Sequence, residues 1–361
     1  MNVRVAAKRK SSRALLAVLP ILLASCGTNP PLRTMSCASA VAPTIVTSPD
    51  GKTKSTTLKV LTFNIEGLGF PARKGREVQL AQIGKRLSAM RAAGTGPDVV
   101  MFQEMFSGAA KNAVAASGYP AITSGPQRTT RSSQPKPDKL PGKAKAKHGE
   151  LGIHFAGSGI AIASNYPFLT SELQPYGTRS CAGLDCLANK GIMFAQISIP
   201  GVPTPIDLYN THMNSRGASK APLNRNTAAH DRQAQEASLF IDTTHNDAYP
   251  VIFGGDFNMR RSEQRWENFT RYQNLSLVHK VCADKSSGCD VQMSWDGDEP
   301  WMDTQDLQFF WSGDKVSIKP IRVEALFDGR PDSPQLSDHD GFMVTYRIEW
   351  PASLPYSPRS C

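Results

Sequence analysis

The chain has 361 residues, of which 41 are Lys or Arg and 31 Asp or Glu, giving a formal charge of +10, and 40% of it is hydrophobic. That balance excludes a mainly disordered, collagenous or multi-spanning protein and is enough for a domain with a real core. Five cations fall in residues 1–25 and a net six in residues 126–149, which leaves the rest of the chain at −1. A nearly neutral body with one basic insert argues against reading the whole surface as a polyanion binder.

The first segment has three parts: basic residues up to Arg13, an apolar run from Ala14 to Leu23, and small residues after it. This is the pattern of an export signal, and the run is too short to span a bilayer, which takes roughly 20 residues. Leu23-Ala-Ser-Cys26 resembles the lipobox of bacterial lipoproteins, which implies acylation of Cys26 and anchoring at the periplasmic, outer-membrane or cell surface. The expected organisation is a signal peptide over 1–25 and a Pro/Ser/Thr-rich tether over 26–56. One catalytic domain over 57–350 follows, with a basic inserted loop at 126–149, and then a C-terminal tail over 351–361.

With Cys26 set aside for lipid, six cysteines remain, and in an exported chain all six can pair. Short spacings favour Cys181 with Cys186 and Cys282 with Cys289, which leaves Cys37 for Cys361. No CxxC metal site is present.

From Leu58 onward, strand-like and helix-like segments alternate. Strands are expected at 58–65 and 98–102, with a helix between them over 78–90 and another at 109–116. Further strands are expected at 159–163, 192–199 and 206–210, then a helix at 228–241, a buried strand at 251–253 and a helix at 261–272. Strands at 307–311, 321–326 and 342–348 close the chain. The pattern predicts layered α/β packing. It also carries an internal echo. One half runs from Asn64 through a helix to Glu104, and the other from His212 through a helix to Asp256, both placing polar groups just past strand ends. Two such halves packed sheet on sheet would bring those ends to one rim, where sites form.

The chemically able residues are Asn64, Glu104, His212, Asp256, Asn258, Asp338 and His339. Carboxylate and amide oxygens suit a hard cation such as Mg²⁺, with Mn²⁺ as a substitute, and two histidines add proton transfer near pH 7. No thiol joins them and no H-E-x-x-H zinc motif is present. Taken singly, each is an ordinary turn former or structural side chain; jointly they are the inventory of metal-assisted phosphoester hydrolysis.

In order along the chain, Leu61-Thr-Phe-Asn-Ile65, Phe102-Gln-Glu104, Asn210-Thr-His212, Gly255-Asp-Phe-Asn258 and Ser337-Asp-His339 resemble the motifs of the endonuclease/exonuclease/phosphatase superfamily. The resemblance spans roughly residues 58 to 350 and implies a four-layer α/β/β/α sandwich. Ser158-Gly-Ile-Ala-Ile-Ala-Ser164 with Tyr166-Pro167, and Leu187-Ala-Asn-Lys-Gly191, are similar to phrases of neutral sphingomyelinases and related lipid phosphodiesterases. The basic insert departs from their usual short connection, and no apolar, aromatic-tipped hairpin for entering lipid is evident.

Carried over residue by residue, the resemblance implies Glu104 as the principal Mg²⁺ ligand, with Asn64 supporting it and Asp338 adding a ligand on the metal side. Asp256 and Asn258 would position the attacking water and a phosphate oxygen. His339 would be the general base, oriented by Asp306, since Asp306-Leu-Gln-Phe-Phe-Trp-Ser-Gly313 resembles the family's Asp-Tyr-Ile-Phe strand. His212 would donate to phosphate or the leaving oxygen from the opposite side. The expected activity is metal-dependent hydrolysis of a phosphodiester, with a phospholipid headgroup as substrate. The competing expectations are an extracytoplasmic nuclease, in which the loop from Arg128 to Lys147 tracks a nucleic-acid backbone, and a non-catalytic binding lipoprotein.

Overall fold

The computed structural model describes residues 29–361 apart from 71, 136, 137 and 296. The expected signal peptide, the acylation site Cys26 and Lys136 of the basic insert therefore lie outside the described residues.

In chain order, the first half holds β1 (Val46–Thr47), β2 (Thr53–Asn64), α1 (Glu77–Ala92), β3 (Val99–Gln103), α2 (Gly108–Ala116), β4 (Ala121–Ser124), β5 (Ala161–Ser164) and β6 (Phe168–Pro175). The second half holds β7 (Gly191–Ile197), β8 (Ile206–His212), α3 (Leu223–Thr244), β9 (Val251–Asp256), α4 (Glu263–Thr270), β10 (Ser276–Leu277), α5 (Val278–Ala283), β11 (Asp290–Gln292), β12 (Asp306–Trp311), β13 (Ser317–Leu326) and β14 (Gly341–Pro351). One sheet runs β11-β13-β14-β2-β3-β5-β4, with β1 on β2; the other runs β10-β12-β9-β8-β7-β6.

The two-residue period of a strand sorts side chains into layers. In β2, Leu58 and Val60 face the second sheet, while Leu61 and Phe63 pack with Leu80, Ile83 and Leu87 of α1. In β9, Ile252 joins the inter-sheet core and Phe253 packs under Ala237 and Phe240 of α3 and Trp266 of α4. Three apolar layers alternating with helix, sheet, sheet and helix are the expected α/β/β/α sandwich. The sheets come close at Gly254, where a Cβ would lie 2.5 Å from Met101 Sδ and 2.6 Å from Thr62 Oγ1.

Polar ties cross the same interface. Gln103 Nε2 donates to Asn210 Oδ1 at 2.8 Å, and Asn210 Nδ2 donates to the Phe102 and Ala161 carbonyls at 3.0 Å each. These buried amides fix the offset between the sheets, because a slip would leave them unpaired.

The structure departs from the sequence expectations at both ends of the chain. Residues 29–56 do not behave as a tether. Arg33 and Ile122 exchange backbone hydrogen bonds, β1 pairs with β2, Ile45 packs on the inter-sheet core, and β2 has already begun at Thr53. A Pro/Ser/Thr-rich composition disfavours helix without forbidding docking. The C-terminal tail is docked as well, with Arg359 Nη1 donating to Val202 O at 3.3 Å. Among the described residues the disulfides are Cys181–Cys186 and Cys282–Cys289, as the short spacings favour, and Cys37–Cys361, the remaining pair. β6 was not expected, since this edge strand exposes most of its length and shows no apolar alternation.

Candidate active site

The alternation that builds the inter-sheet core also delivers the polar residues to its rim. Along β2 the inward positions read Leu58, Val60, Thr62, Asn64; along β8, Leu208, Asn210, His212; along β9, Ile252, Gly254, Asp256. β12 enters from the opposite direction, so its first residue, Asp306, lies level with Asp256. His212 is level with Asp256 on the other flank, and Asn64 with Gln103. Asn64, His212, Asp256 and Asp306 thus each occupy the buried position at which the apolar stripe of a strand ends.

Glu104 leaves β3 with φ +60, a left-handed conformation that costs a non-glycine residue on the order of 1–3 kcal/mol. The turn is held by Met105 N donating to Gly159 O at 2.7 Å, and by Gly67, where a Cβ would fall 2.3 Å from Glu104 O. Asn64 ties the two halves together: its Nδ2 donates to Glu104 Oε1 at 3.2 Å and to Asp256 Oδ2 at 3.0 Å. Burial pushes Glu104 up to about 7, against the Asn64 bond, and burial also pushes Asp256 up to about 6, against His339.

His339 Nδ1 meets Asp306 Oδ2 at 2.5 Å, and Gln305 Nε2 lies 3.2 Å from His339 Nε2. A carboxylate on Nδ1 and an amide donor on Nε2 select the tautomer protonated at Nδ1, with the Nε2 lone pair accepting from Gln305. Burial works against a charged imidazole here, but Asp306, followed by Asp256 and Asp338, outweighs it and raises His339 to about 10. A divalent cation among these carboxylates would oppose that second proton.

His212 has the opposite environment. Burial, then the Lys190 ammonium and His339, hold it well below the ordinary imidazole range, so it is neutral at pH 7. Its Nε2 is 3.2 Å from Lys190 Nζ and 3.5 Å from Asp256 Oδ2. Asn258, at φ +53, donates through Nδ2 to Met213 O at 3.1 Å, and its backbone N–H donates to Asp256 Oδ1 at 3.0 Å. Beneath it the fully buried Arg265 donates to the carbonyls of Asn258 and Asn214 at 2.8 Å each, fixing this loop.

Six expected residues, Asn64, Glu104, His212, Asp256, Asp306 and His339, form one connected cluster, with Asn258 beside it. Two details differ from the expected roles. Asn64 turns its amide nitrogen to the carboxylates and accepts from Glu66 N–H through Oδ1 at 3.1 Å, so serving a cation through oxygen requires its amide to turn over. Asp338 is about half exposed and pairs with Arg73 at 3.3 Å rather than with Glu104 or Asn64.

Lys190 was met in the sequence only as part of a Lys-Gly phrase. It is buried, salt-bridged to Asp185, and donates to Met213 O at 2.9 Å. Asp185 also accepts from Ser215 N–H at 3.2 Å. A lysine immediately before the apolar run that opens at Gly191 is the one signal in the sequence.

The donor set fits a hard divalent cation. Asp256, Asp306 and His339 place ligand atoms within 4.8 Å of one another. His339 takes one oxygen of Asp306, whose buried Oδ1 has no hydrogen-bond partner, and Glu104 is a partly buried carboxylate whose hydrogen-bond partner is a neutral amide. Unmet charge therefore remains at Glu104 and at Asp306 Oδ1, with the Asp256 carboxylate in the same cluster, which is a hard-ion environment.

The model of the Endonuclease/Exonuclease/phosphatase family matches residues 61–339. A sphingomyelinase of Mycobacterium tuberculosis is 25% identical over 209 residues, covering 57% of this chain and 35% of that protein. The match therefore spans about a third of the relative's length. Among solved structures, beta toxin from Staphylococcus aureus with bound magnesium ions shares the fold at TM-score 0.53 and 17% identity, over 80% of this chain and 99% of that one. TDP2 of D. rerio complexed with single strand DNA product does so at TM-score 0.53 and 16% identity, over 81% and 99%.

Proposed function

The chain belongs to the Endonuclease/Exonuclease/phosphatase family, and from that premise we propose that it is a Mg²⁺-dependent phosphodiesterase acting on a phospholipid headgroup. The observation that carries this reading is the meeting of Asn64, Glu104, His212, Asp256, Asp306 and His339 between the two sheet ends. The similarity to the mycobacterial sphingomyelinase supports the lipid substrate, and the magnesium-bearing beta toxin supports the ion. The signal-like segment and Cys26 support export and anchoring by an acyl chain.

Glu104, with Asn64 after its amide turns, would hold the cation, and Asp338 could join them on releasing Arg73. The ion supplies charge neutralisation to a phosphate oxygen. With a cation opposing its second proton and Gln305 turned aside, His339 Nε2, oriented by Asp306 on its far nitrogen, would take a proton from the attacking water. Asp256, 4.0 Å from that nitrogen, and Asn258 orient the water and a phosphate oxygen. His212 is neutral and accepts from the Lys190 ammonium through Nε2, so it would donate a hydrogen bond to a phosphate oxygen only after that contact is released. Stabilising the charge that develops on phosphorus is the main contribution, and losing one such group costs about 10²–10³ in rate.

The test is an assay of the purified protein with Mg²⁺ on sphingomyelin micelles and on plasmid DNA, beside EDTA and His339→Ala controls. Turnover of sphingomyelin that both controls abolish supports the reading. Cleavage of DNA alone would establish the nuclease instead. No turnover of either substrate would remove the catalytic reading.

A further inference from the structure

The basic insert takes no part in the site chemistry, yet its placement is specific. Arg128, Arg131, Lys139, Lys143, Lys145 and Lys147 are all exposed, and Asp138 is the one acid within 126–149. Just beyond lie two large exposed aliphatics, Leu151 at 48% and Ile153 at 57%.

The underside of this segment is fixed to the domain. Arg225 of α3 donates to the carbonyls of Leu140, Pro141 and Gly142 at 3.2, 3.0 and 3.3 Å. Glu150 binds the same arginine at 2.7 Å and accepts from Gly183 N–H at 3.0 Å, so its charge is spent locally. Phe155 and Ala156 N–H both donate to Leu187 O, and Asn189 N–H donates to Ala156 O. Lys190 of the reaction centre follows at once. The segment is therefore pinned from below, and its cations and aliphatics are displayed beside the catalytic rim.

A scattered exposed leucine needs no explanation. Two aliphatics two residues apart, next to three alternate lysines, have the composition of an interfacial anchor, in which apolar groups enter the headgroup region and cations meet anionic lipid. A nucleic-acid backbone would use the cations but not the aliphatics, and the run from Arg128 to Lys147 contains no aromatic side chain on which a base could stack. We propose that residues 143–153 dock the enzyme on bilayers rich in anionic phospholipid, with Leu151 and Ile153 inserted and Lys143, Lys145 and Lys147 facing the headgroups. This rests on the lipid reading of the site only for its purpose, since binding is measured without turnover.

The experiment uses the full chain carrying Cys26→Ser, which cannot be acylated, in sedimentation with vesicles of phosphatidylcholine alone or mixed with phosphatidylglycerol. Binding is expected to favour the mixed vesicles by tenfold or more (~fivefold per cation near the surface) and to weaken with salt. Lys143→Glu, Lys145→Glu and Lys147→Glu together should abolish that preference, and the three Lys→Gln changes should fall between. Leu151→Ser with Ile153→Ser should remove the binding that persists at high salt. All of these variants should melt like the parent and hydrolyse a soluble phosphodiester at its rate. Equal binding to both vesicle types, or variants that bind as well as the parent, would overturn the proposal. So would loss of plasmid binding in the lysine variants with vesicle binding intact, which would identify a nucleic-acid surface. Vesicle binding as expected without hydrolysis of any phosphodiester would instead defeat the enzymatic reading and leave the dock standing.

Discussion

Asp306, the first residue of β12, and His339, just before β14, meet at 2.5 Å, carboxylate oxygen to Nδ1, with Gln305 Nε2 3.2 Å from the imidazole's other nitrogen. Asp306 is raised by burial, and its ion pair with His339 offsets part of that cost. Asp306→Asn keeps the shape but stabilises the wrong tautomer. The rate is expected to fall by about 10³–10⁴, and the acid limb of kcat/KM should move to lower pH, because the carboxylate that raises His339 is gone. Steady-state rates from pH 5 to 10 decide it: an unmoved limb would mean that His339 is not the base.

Glu104 gives a pH signature in the metal-free protein. Its folded value, about 7, exceeds the 4.5 of an ordinary glutamate, so the native state binds the extra proton between those values. Stability therefore falls as pH rises from 4.5 to 7, by about 3 kcal/mol when complete, and the cost stays above pH 7. His339 adds in the same direction at higher pH: its raised value stabilises the fold fully below 6.5, and that stability is lost as pH rises towards 10. In EDTA, Tm should drop between pH 5 and 8, and Mg²⁺ should restore it. Glu104→Gln should flatten the drop, remove the Mg²⁺ response and eliminate turnover.

Much of this site was legible because strand periodicity is written in the sequence. Once Leu58 and Val60, or Ile252 and Gly254, are placed inward, Asn64 and Asp256 must share that face. What could not be read are the contacts made across irregular backbone. Lys190 reaches Asp185 and His212 only because the short turn at Gly183–Leu187 folds back under the Cys181–Cys186 bridge. Asp338 finds Arg73, which lies in the connection before α1 and has no periodicity to anticipate it. Even the orientation of the Asn64 amide depends on one backbone N–H, that of Glu66, itself in a left-handed turn at φ +48.

Lys190 serves both stability and chemistry, and the two can be separated. Lys190→Met leaves Asp185 buried without its cation, which should destabilise the protein by about 3–5 kcal/mol. Adding Asp185→Asn should recover part of that in urea denaturation, because no charge is then stranded. The rate should not recover with it, since His212 has lost the ammonium that donates to its Nε2 and, after burial, helps to hold it neutral. Recovery of both together would show Lys190 to be only structural.

The Cys37–Cys361 bridge joins segments that are otherwise lightly held, 324 residues apart in sequence. Closing so long a loop removes entropy from the unfolded chain, and removing a bridge of this kind costs about 2–5 kcal/mol. Its local effect differs from its global one. Cys37 sits between Arg33, hydrogen-bonded to Ile122, and β1 on β2, whereas Cys361 follows Arg359, which donates to Val202. With Cys37→Ser and Cys361→Ser, unfolding should shift to lower urea, and amide exchange should quicken first at residues 29–47 and 352–361. The cluster around Glu104 lies on the sandwich rim and takes no residue from either segment, so turnover per folded molecule should be unchanged. A loss of turnover in the folded variant would mean that the chain ends hold the rim in place.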